Sequence, residues 1–302
     1  MNFTKQLKNL DSSSFLPILC ASIGHILWGF SYLFTKTALQ TASSNVLLSY
    51  RFLFATLVMT LLILSGNVRV SYKGKNWKIA LLLAALQLLY YSFETYSIQY
   101  TNATISGAVL AVSPIIAIVF ALIFLKEYPT RRQAIFSILP VLGVVIMTVA
   151  GSSLGIIQSK GVFFLAMTCI ISGAYKTVNR KTSEDFSSFE RTYLVLTASA
   201  IGFTISAFKE VGGDLGMYLA PLSVPSFIIA VVILGVFCSI GANLLVNYAV
   251  GKMAVVKLSS FGAITTLCSM FAGVIFLGEP MTPSLLIGAF MILVGIYQVT
   301  KP

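Results

Sequence analysis

Three ionisable residues, Glu94, Arg51 and His25, lie inside long apolar runs of this 302-residue chain. A charge placed in an apolar span costs several kcal/mol and is retained where it binds a solute, carries a proton or meets an opposite charge. His25, Trp28, Gly29 and Tyr32 fall at i, i+3, i+4 and i+7, which puts a titratable ring and an aromatic wall on one helical face. Trp28 has the π-face to stack on an aromatic or cationic ligand. Gln87, Tyr91 and Glu94 repeat the spacing i, i+4, i+7, with Tyr90 beside them. This chemistry is recognition and proton exchange rather than bond making. The chain has a single histidine and four cysteines, Cys20, Cys169, Cys238 and Cys268, with no CxxC pair. No metal site, cofactor or catalytic residue is therefore expected. A GxxxxGK[ST] nucleotide loop is also missing, which excludes a primary pump.

Composition sets what must position these residues. The chain is 57% hydrophobic and 10% charged, where soluble domains carry about 25% charged residues. Its mean hydropathy of +0.92 agrees. A bilayer-crossing helix needs about 20 mostly apolar residues. Runs of that kind lie near Phe15–Ala38, Asn45–Leu64, Trp77–Ile98, Ala103–Leu125 and Arg132–Ala150, and then near Gly161–Val178, Thr192–Phe208, Ser226–Tyr248, Met253–Leu277 and Thr282–Thr300. The first run lacks a small-residue cleavage site and is read as retained. Fifteen of the 20 Lys and Arg fall at the N-terminus and in alternate loops, including Lys176, Arg180 and Arg191; only Lys36, Lys160 and Lys209 fall on the other side. The positive-inside rule then puts both termini in the cytoplasm. It also explains the net charge of +11 without nucleic acid. By helical rise, His25 lies about 15 Å into its span, Arg51 about 9 Å and Glu94 about 6 Å from the outer end. Arg51 and Glu94 thus share a depth, and they are expected to pair as a structural or coupling charge pair.

The chain repeats itself. Ala121–Thr130 reads ALIFLKEYPT and Gly273–Thr282 reads GVIFLGEPMT, with Ile, Phe, Leu, Glu and Thr recurring at an offset of 152. The same offset carries Tyr96 onto Tyr248, Gly143 onto Gly295, Tyr91 onto Asn243 and Ser113 onto Thr265, while Glu94 becomes Val246. ILWGF at Ile26 matches IISGA at Ile170 at an offset of 144. Five spans per half is an odd number, so the second half enters the membrane from the opposite side. Inverted halves are what an alternating-access carrier uses. The fold class expected is an all-α integral membrane protein of ten transmembrane helices in two inverted five-helix repeats, residues 15–150 and 161–300, with cytoplasmic termini. Polar residues at repeat-equivalent places suggest a shared cavity, with Asn243 and Asn247 either facing a ligand or gluing helices. Pro114 is expected to bend the fourth span, Lys257 to snorkel, and Glu127 and Glu279 to anchor helix ends.

WGFSYLFTK at the end of span one, YRFLFATL in span two, SGAVLAVSPIIAIVFALIFLKE in span four and the IFLGE of span nine resemble the drug/metabolite transporter superfamily, in its EamA branch. The resemblance covers nearly the whole chain. It implies a secondary transporter of amino acids or other small metabolites, with a cavity lined by spans one, three, four, six, eight and nine. The substrate-binding candidates are His25, Trp28, Tyr32, Gln87, Tyr90, Tyr91, Glu94, Ser113, Tyr175, Asn243 and Thr265. The partners expected are a small-molecule substrate, the lipid bilayer and protons as coupling ion, in a monomer or homodimer of the plasma (inner) membrane. Competing readings are an uptake carrier or facilitator for a small cationic or aromatic solute, a channel, and an integral membrane enzyme, for which the residues are lacking.

Overall fold

In a bilayer every backbone N–H and C=O must be paired within the protein, and a helix does this within one segment. The computed structural model describes residues 15–71, 73–100, 112–150, 159–277 and 281–301, and all the regular structure among them is helical. Several expectations fall elsewhere. Glu279 and residues 103–111 of span four lie outside the described residues, as do the side chains of Tyr32 and Tyr96.

The first half contains α1 (Phe15–Ala38), α2 (Ser44–Leu64), α3 (Trp77–Tyr100) and α4 (Ser113–Phe120), which continues as a π-helix over Ala121–Leu125. It ends in α5 (Arg131–Phe136) and α6 (Ile138–Ala150). The second half contains α7 (Ser159–Thr182), α8 (Ser188–Glu210), the short α9 (Leu215–Leu219) and α10 (Pro225–Ile233). A π-helix at Leu234–Gly241 then leads into α11 (Ala242–Lys252), followed by α12 (Val255–Ser260), α13 (Gly262–Leu277) and α14 (Pro283–Thr300). Among the described residues six segments are long and apolar enough to cross a membrane unaided: α1, α2, α8, Pro225–Lys252, Val255–Phe276 and α14. The other four expected runs are helical where described, but shorter or more polar. In α3 the polar positions include the candidate site residues Gln87, Tyr90, Tyr91 and Glu94. Large apolar side chains face outward, with Phe124 67%, Ile275 68% and Phe290 69% exposed; on an apolar helix bundle these positions suit lipid.

Helix starts are marked by capping. The Thr130 hydroxyl accepts from Gln133 N–H while the Gln133 side chain returns to Thr130 N–H, and Ser187 and Glu190 make the same reciprocal pair. Pro114 lies in the first turn of α4, where its missing N–H loses no partner. The π-helix after α4 ends at Lys126, the sole non-glycine residue with positive φ (55°) among those described.

The packing carries the repeat into three dimensions. With spans numbered in the order expected from sequence, the strongest contacts join span three to six (α3 with α7) and span eight to one (α11 with α1). Span one packs on nine (α1 with α13), and span six on four (α7 with α4). Span two packs on seven (α2 with α8), and five on ten (α6 with α14). Adding five to each number, cyclically, exchanges the first two contacts with each other, exchanges the next two, and maps the last two onto themselves. The glycines matched in sequence occupy the equivalent crossings. A Cβ on Gly29 would lie 2.8 Å from Thr265 O of α13, and one on Gly173 would lie 3.2 Å from Ala117 N of α4. Gly143 and Gly295 face each other's helix: a Cβ would come within 2.7 Å of Gly288 O and 2.4 Å of Pro140 Cδ respectively. Two helices approach this closely where side chains are smallest.

Candidate functional site

The residues that sequence places at mid-span meet at the α1 crossings. The His25 ring nitrogen Nδ1 lies 2.9 Å from the Thr265 hydroxyl of α13. That hydroxyl also donates to the His25 carbonyl at 3.3 Å. The Trp28 ring stands edge-on to His25, centroids 5.1 Å apart, and its Nε1–H donates to the Cys238 carbonyl at 2.9 Å. Cys238 belongs to the π-helix Leu234–Gly241. A π-turn widens the backbone ladder, and such turns recur at functional sites. Here the same turn gives its next residue to another partner, since Arg51 Nε donates to Ser239 Oγ at 2.7 Å. Asn243, one turn further, donates back to the Ser239 carbonyl at 2.7 Å. One π-segment thus holds Trp28 of α1 and Arg51 of α2.

On α3, Tyr90 donates to Glu94 Oε1 at 2.9 Å. The expected contact between Glu94 and Arg51 is not made. Among the described residues the ion pairs are Lys75 with Glu190, Arg180 with Glu127, and Lys181 with Glu184. Equal depth does not ensure contact: the guanidinium turns to Ser239 and lies 5.5 Å from the Phe52 ring centroid. The two charges remain within coulombic range. Tyr91 packs between Phe52 and Phe203, with centroids 5.3 and 6.1 Å away, in an apolar cluster that includes Ala55, Leu196 and Ile240. Gln87 is buried one turn below it. Tyr175 lies on α7 within coulombic range of Tyr91 and Arg191, and Ser113 opens α4.

Three cations assigned to loops by the sequence count are in fact built into the protein. Arg191 is 2% exposed. Its Nη1 donates to Asn179 Oδ1 at 2.6 Å and its Nη2 to the Asn247 carbonyl at 2.6 Å. Asn179 in turn donates to Asn247 Oδ1 at 2.8 Å, and Asn247 to Thr192 Oγ1 at 2.8 Å. Asn247 therefore glues α7, α8 and α11 together. Arg180 pairs with Glu127 at 3.3 Å and donates to the Gly251 carbonyl at 3.2 Å, while the second Glu127 oxygen accepts from Val255 N–H at 2.7 Å. Glu127 thereby takes up the first N–H of α12 rather than a group of its own helix, and it ties the two halves at that end of the bundle. The third cation, Lys176, is partly buried within α7. A count by loops misses Lys176 and Arg191 because both sit at the ends of apolar runs, where a helix continues past its apolar stretch. The signal lay in the spacing of Lys176 from Ser172 and from Asn179, i−4 and i+3, which continues an inward stripe.

Comparison with known proteins gives a consistent pattern. The sequence profile of the EamA-like transporter family matches residues 15–149 and again residues 159–301. The chain is 34% identical over 285 residues to the uncharacterized transporter YcxC of Bacillus subtilis (strain 168), covering 92% of this chain and 90% of that protein. It is 29% identical over 294 residues to the uncharacterized transporter YvbV of the same organism, covering 97% and 92%. A WAT1-related protein of Arabidopsis thaliana, At2g39510, is 25% identical over 320 residues, covering 94% and 83%. One solved crystal structure superposes with a TM-score of 0.78 over 95% of this chain and 99% of that one, at 17% identity, a likeness of fold.

Proposed function

We propose, from the premise that the chain belongs to the EamA-like transporter family, that it is a secondary carrier of small organic metabolites, amino acids or related compounds, working by alternating access. The chain is a multi-pass membrane transporter and not an enzyme. The observation that carries the finer reading is the exchange of packing contacts between halves, span one on nine with six on four, and three on six with eight on one. Halves related this way can exchange conformations, which turns an inward-open carrier into an outward-open one. Cytoplasmic termini are the arrangement that the loop cations favour; export across the plasma membrane belongs to the proposal on the strength of the family resemblance alone. A reporter fused after Pro302 that is active only in the cytoplasm is expected to be active, and a silent one reverses the orientation.

Glu94 supports proton coupling. It is a carboxyl inside the bundle, bonded to Tyr90 and, among the described residues, without a contact cation, so that its protonation changes the charge facing the interior. In proteoliposomes, labelled amino acids, amines and nucleosides tested at two pH values are expected to reveal a saturable solute with counterflow. Glu94→Gln is expected to lower proton-driven uptake at least tenfold, about 1.4 kcal/mol, and to leave counterflow at zero gradient. Uptake by Glu94→Gln that still follows the pH gradient removes the coupling role. Flux without saturation or counterflow makes the protein a channel.

A further inference from the structure

Arg180, Glu127, Gly251 and Val255 come from four different helix ends and meet at one point. Arg180 lies in the last turn of α7, with its side chain 16% exposed. Its Nε is 3.3 Å from Glu127 Oε1, and its Nη1 donates to the Gly251 carbonyl of α11 at 3.2 Å. The other Glu127 oxygen accepts from the N–H of Val255, the first residue of α12, at 2.7 Å. Ala254 holds the cap position of α12 and makes no side-chain cap bond. A carboxylate from the other half therefore satisfies that helix start. A left-handed turn aims it there: the π-helix after α4 ends at Lys126 with φ 55°, a conformation that strains a residue with a Cβ. Lys126 is exposed and Glu127 is buried. Beneath the pair, Ala117, Ala121, Leu125 and Val255 close the α4–α12 crossing as one buried apolar cluster.

These bonds differ in kind from those around Arg191. They are an ion pair at the rim of the bundle, a helix-start N–H and a helix-end carbonyl, all groups that water can serve once that end opens. The Arg191 guanidinium, 2% exposed and held by oxygens inside the bundle, has no such exchange. Duplication also supplies a comparison. The offset of 144 that matches Ile26 with Ile170 carries Arg180 back onto Lys36, in the last turn of α1. Lys36 is exposed and makes no ion pair among the described residues. At the offset of 152 Ala117 corresponds to Ser269; Ala117 is fully buried, and Ser269 is partly exposed. Equivalent positions are thus fastened at one end of the bundle and unfastened at the other. Inverted halves that exchange conformations produce this asymmetry at either extreme of their cycle.

We propose that the Arg180–Glu127 pair, with Val255 N–H and the Gly251 carbonyl, is a latch that holds this end of the carrier shut and releases when it opens, and that the structure is the state with the latch made. This rests on the carrier reading above and deepens it. The test is hydrogen–deuterium exchange read by mass spectrometry on the full-length protein in lipid nanodiscs. Glu127→Gln leaves a carbonyl for Val255 N–H and removes the charge. It is expected to speed exchange in peptides covering α12 about tenfold and to slow it over residues 36–43, because one equilibrium links the two ends. Arg180→Gln is expected to do the same, and Arg180→Lys, which keeps the charge, to stay close to the wild type. Should Glu127→Gln fail to give monodisperse protein, Arg180→Gln reads the same linkage from the other partner. Faster exchange at α12 with no change over residues 36–43 makes the pair a local staple and overturns the proposal, as does an unchanged pattern at both ends. Counterflow by the wild type in proteoliposomes separates the two readings. Linked ends without counterflow of any solute support the latch and remove the carrier; counterflow with unlinked ends keeps the carrier and removes the latch.

Discussion

Asn179→Leu is expected to destabilise the protein by about 1–3 kcal/mol, the range for leaving buried polar groups short of a hydrogen-bond partner. Arg191 is a buried guanidinium whose charge is met by amide and carbonyl oxygens, with Asn179 Oδ1 at 2.6 Å and the Asn247 carbonyl at 2.6 Å. Its Nε has no partner in the structure. Leucine at 179 fills a similar volume but leaves the Nη1 arm of the guanidinium with the residue-179 backbone carbonyl at 3.2 Å in place of the 2.6 Å side-chain bond. It also leaves Asn247 Oδ1 without the Asn179 donor at 2.8 Å. A more informative result comes from the double variant. Replacing a buried charge together with its partner by hydrophobes of similar volume is often neutral or stabilising. Asn179→Leu/Arg191→Met is therefore expected to recover more than half of the loss. The measurement is thermal unfolding of the purified protein in detergent, where a loss of this size lowers the midpoint by a few degrees or more. A single variant that melts with the wild type, or a double variant no better than the single, contradicts this account of the network.

That network also shows where the sequence was readable and where it was not. The apolar runs located the helices closely: the first was expected at Phe15–Ala38 and spans those residues, and the eighth, expected at Ser226–Tyr248, runs from Pro225 to Lys252. Apolarity fixes a span because the bilayer acts as a solvent along its whole length. The pairing of Gly29 with Gly173, and of Gly143 with Gly295, was also legible, since close helix crossings tolerate few residue types and duplication copies them. Charge partners were much less so. Depth along a helix can be counted from a sequence, but rotation about its axis and the choice of rotamer are set by neighbours. Arg51 accordingly shares a depth with Glu94 and bonds to Ser239. Cations near helix ends were harder still. Lys176, Arg180 and Arg191 resemble loop charges under the positive-inside rule, yet each is turned into the protein by the last or first turns of α7 and α8. The π-helix at Leu234–Gly241 left no periodic trace, because one residue added to a turn barely disturbs an all-apolar pattern.

Gly29→Ala is expected to cost about 1–3 kcal/mol, the usual range for overpacking a close-packed interior, and to reduce transport by more than its stability loss explains. The added Cβ would sit 2.4 Å from Cys268 Cβ, 2.8 Å from Thr265 O and 3.3 Å from Ser269 N. Two of those three atoms are backbone, so relief requires α1 and α13 to separate rather than a side chain to swing away. The separation falls on Thr265, whose hydroxyl lies 2.9 Å from His25 Nδ1. Loosening the crossing therefore loosens the group that orients the histidine. The symmetry-related Gly173→Ala meets Ile116 Cγ2 at 2.8 Å but backbone only at 3.2 Å. The Ile116 β-branch is itself stiff in a helix, but the nearest backbone lies 0.4 Å farther than the 2.8 Å met at Gly29, so the loss is expected to be smaller. Gly262→Ala meets nothing within 4 Å, and it replaces a glycine near a helix start with a better helix former; its melting temperature is expected to match or exceed the wild type. Melting temperature and counterflow measured on the same preparations separate the two effects. If Gly29→Ala melts and exchanges solute as the wild type does, the crossing is not close-packed in the membrane and does not position His25. If it melts lower while exchange per folded molecule is unchanged, the crossing holds the bundle together without governing the site.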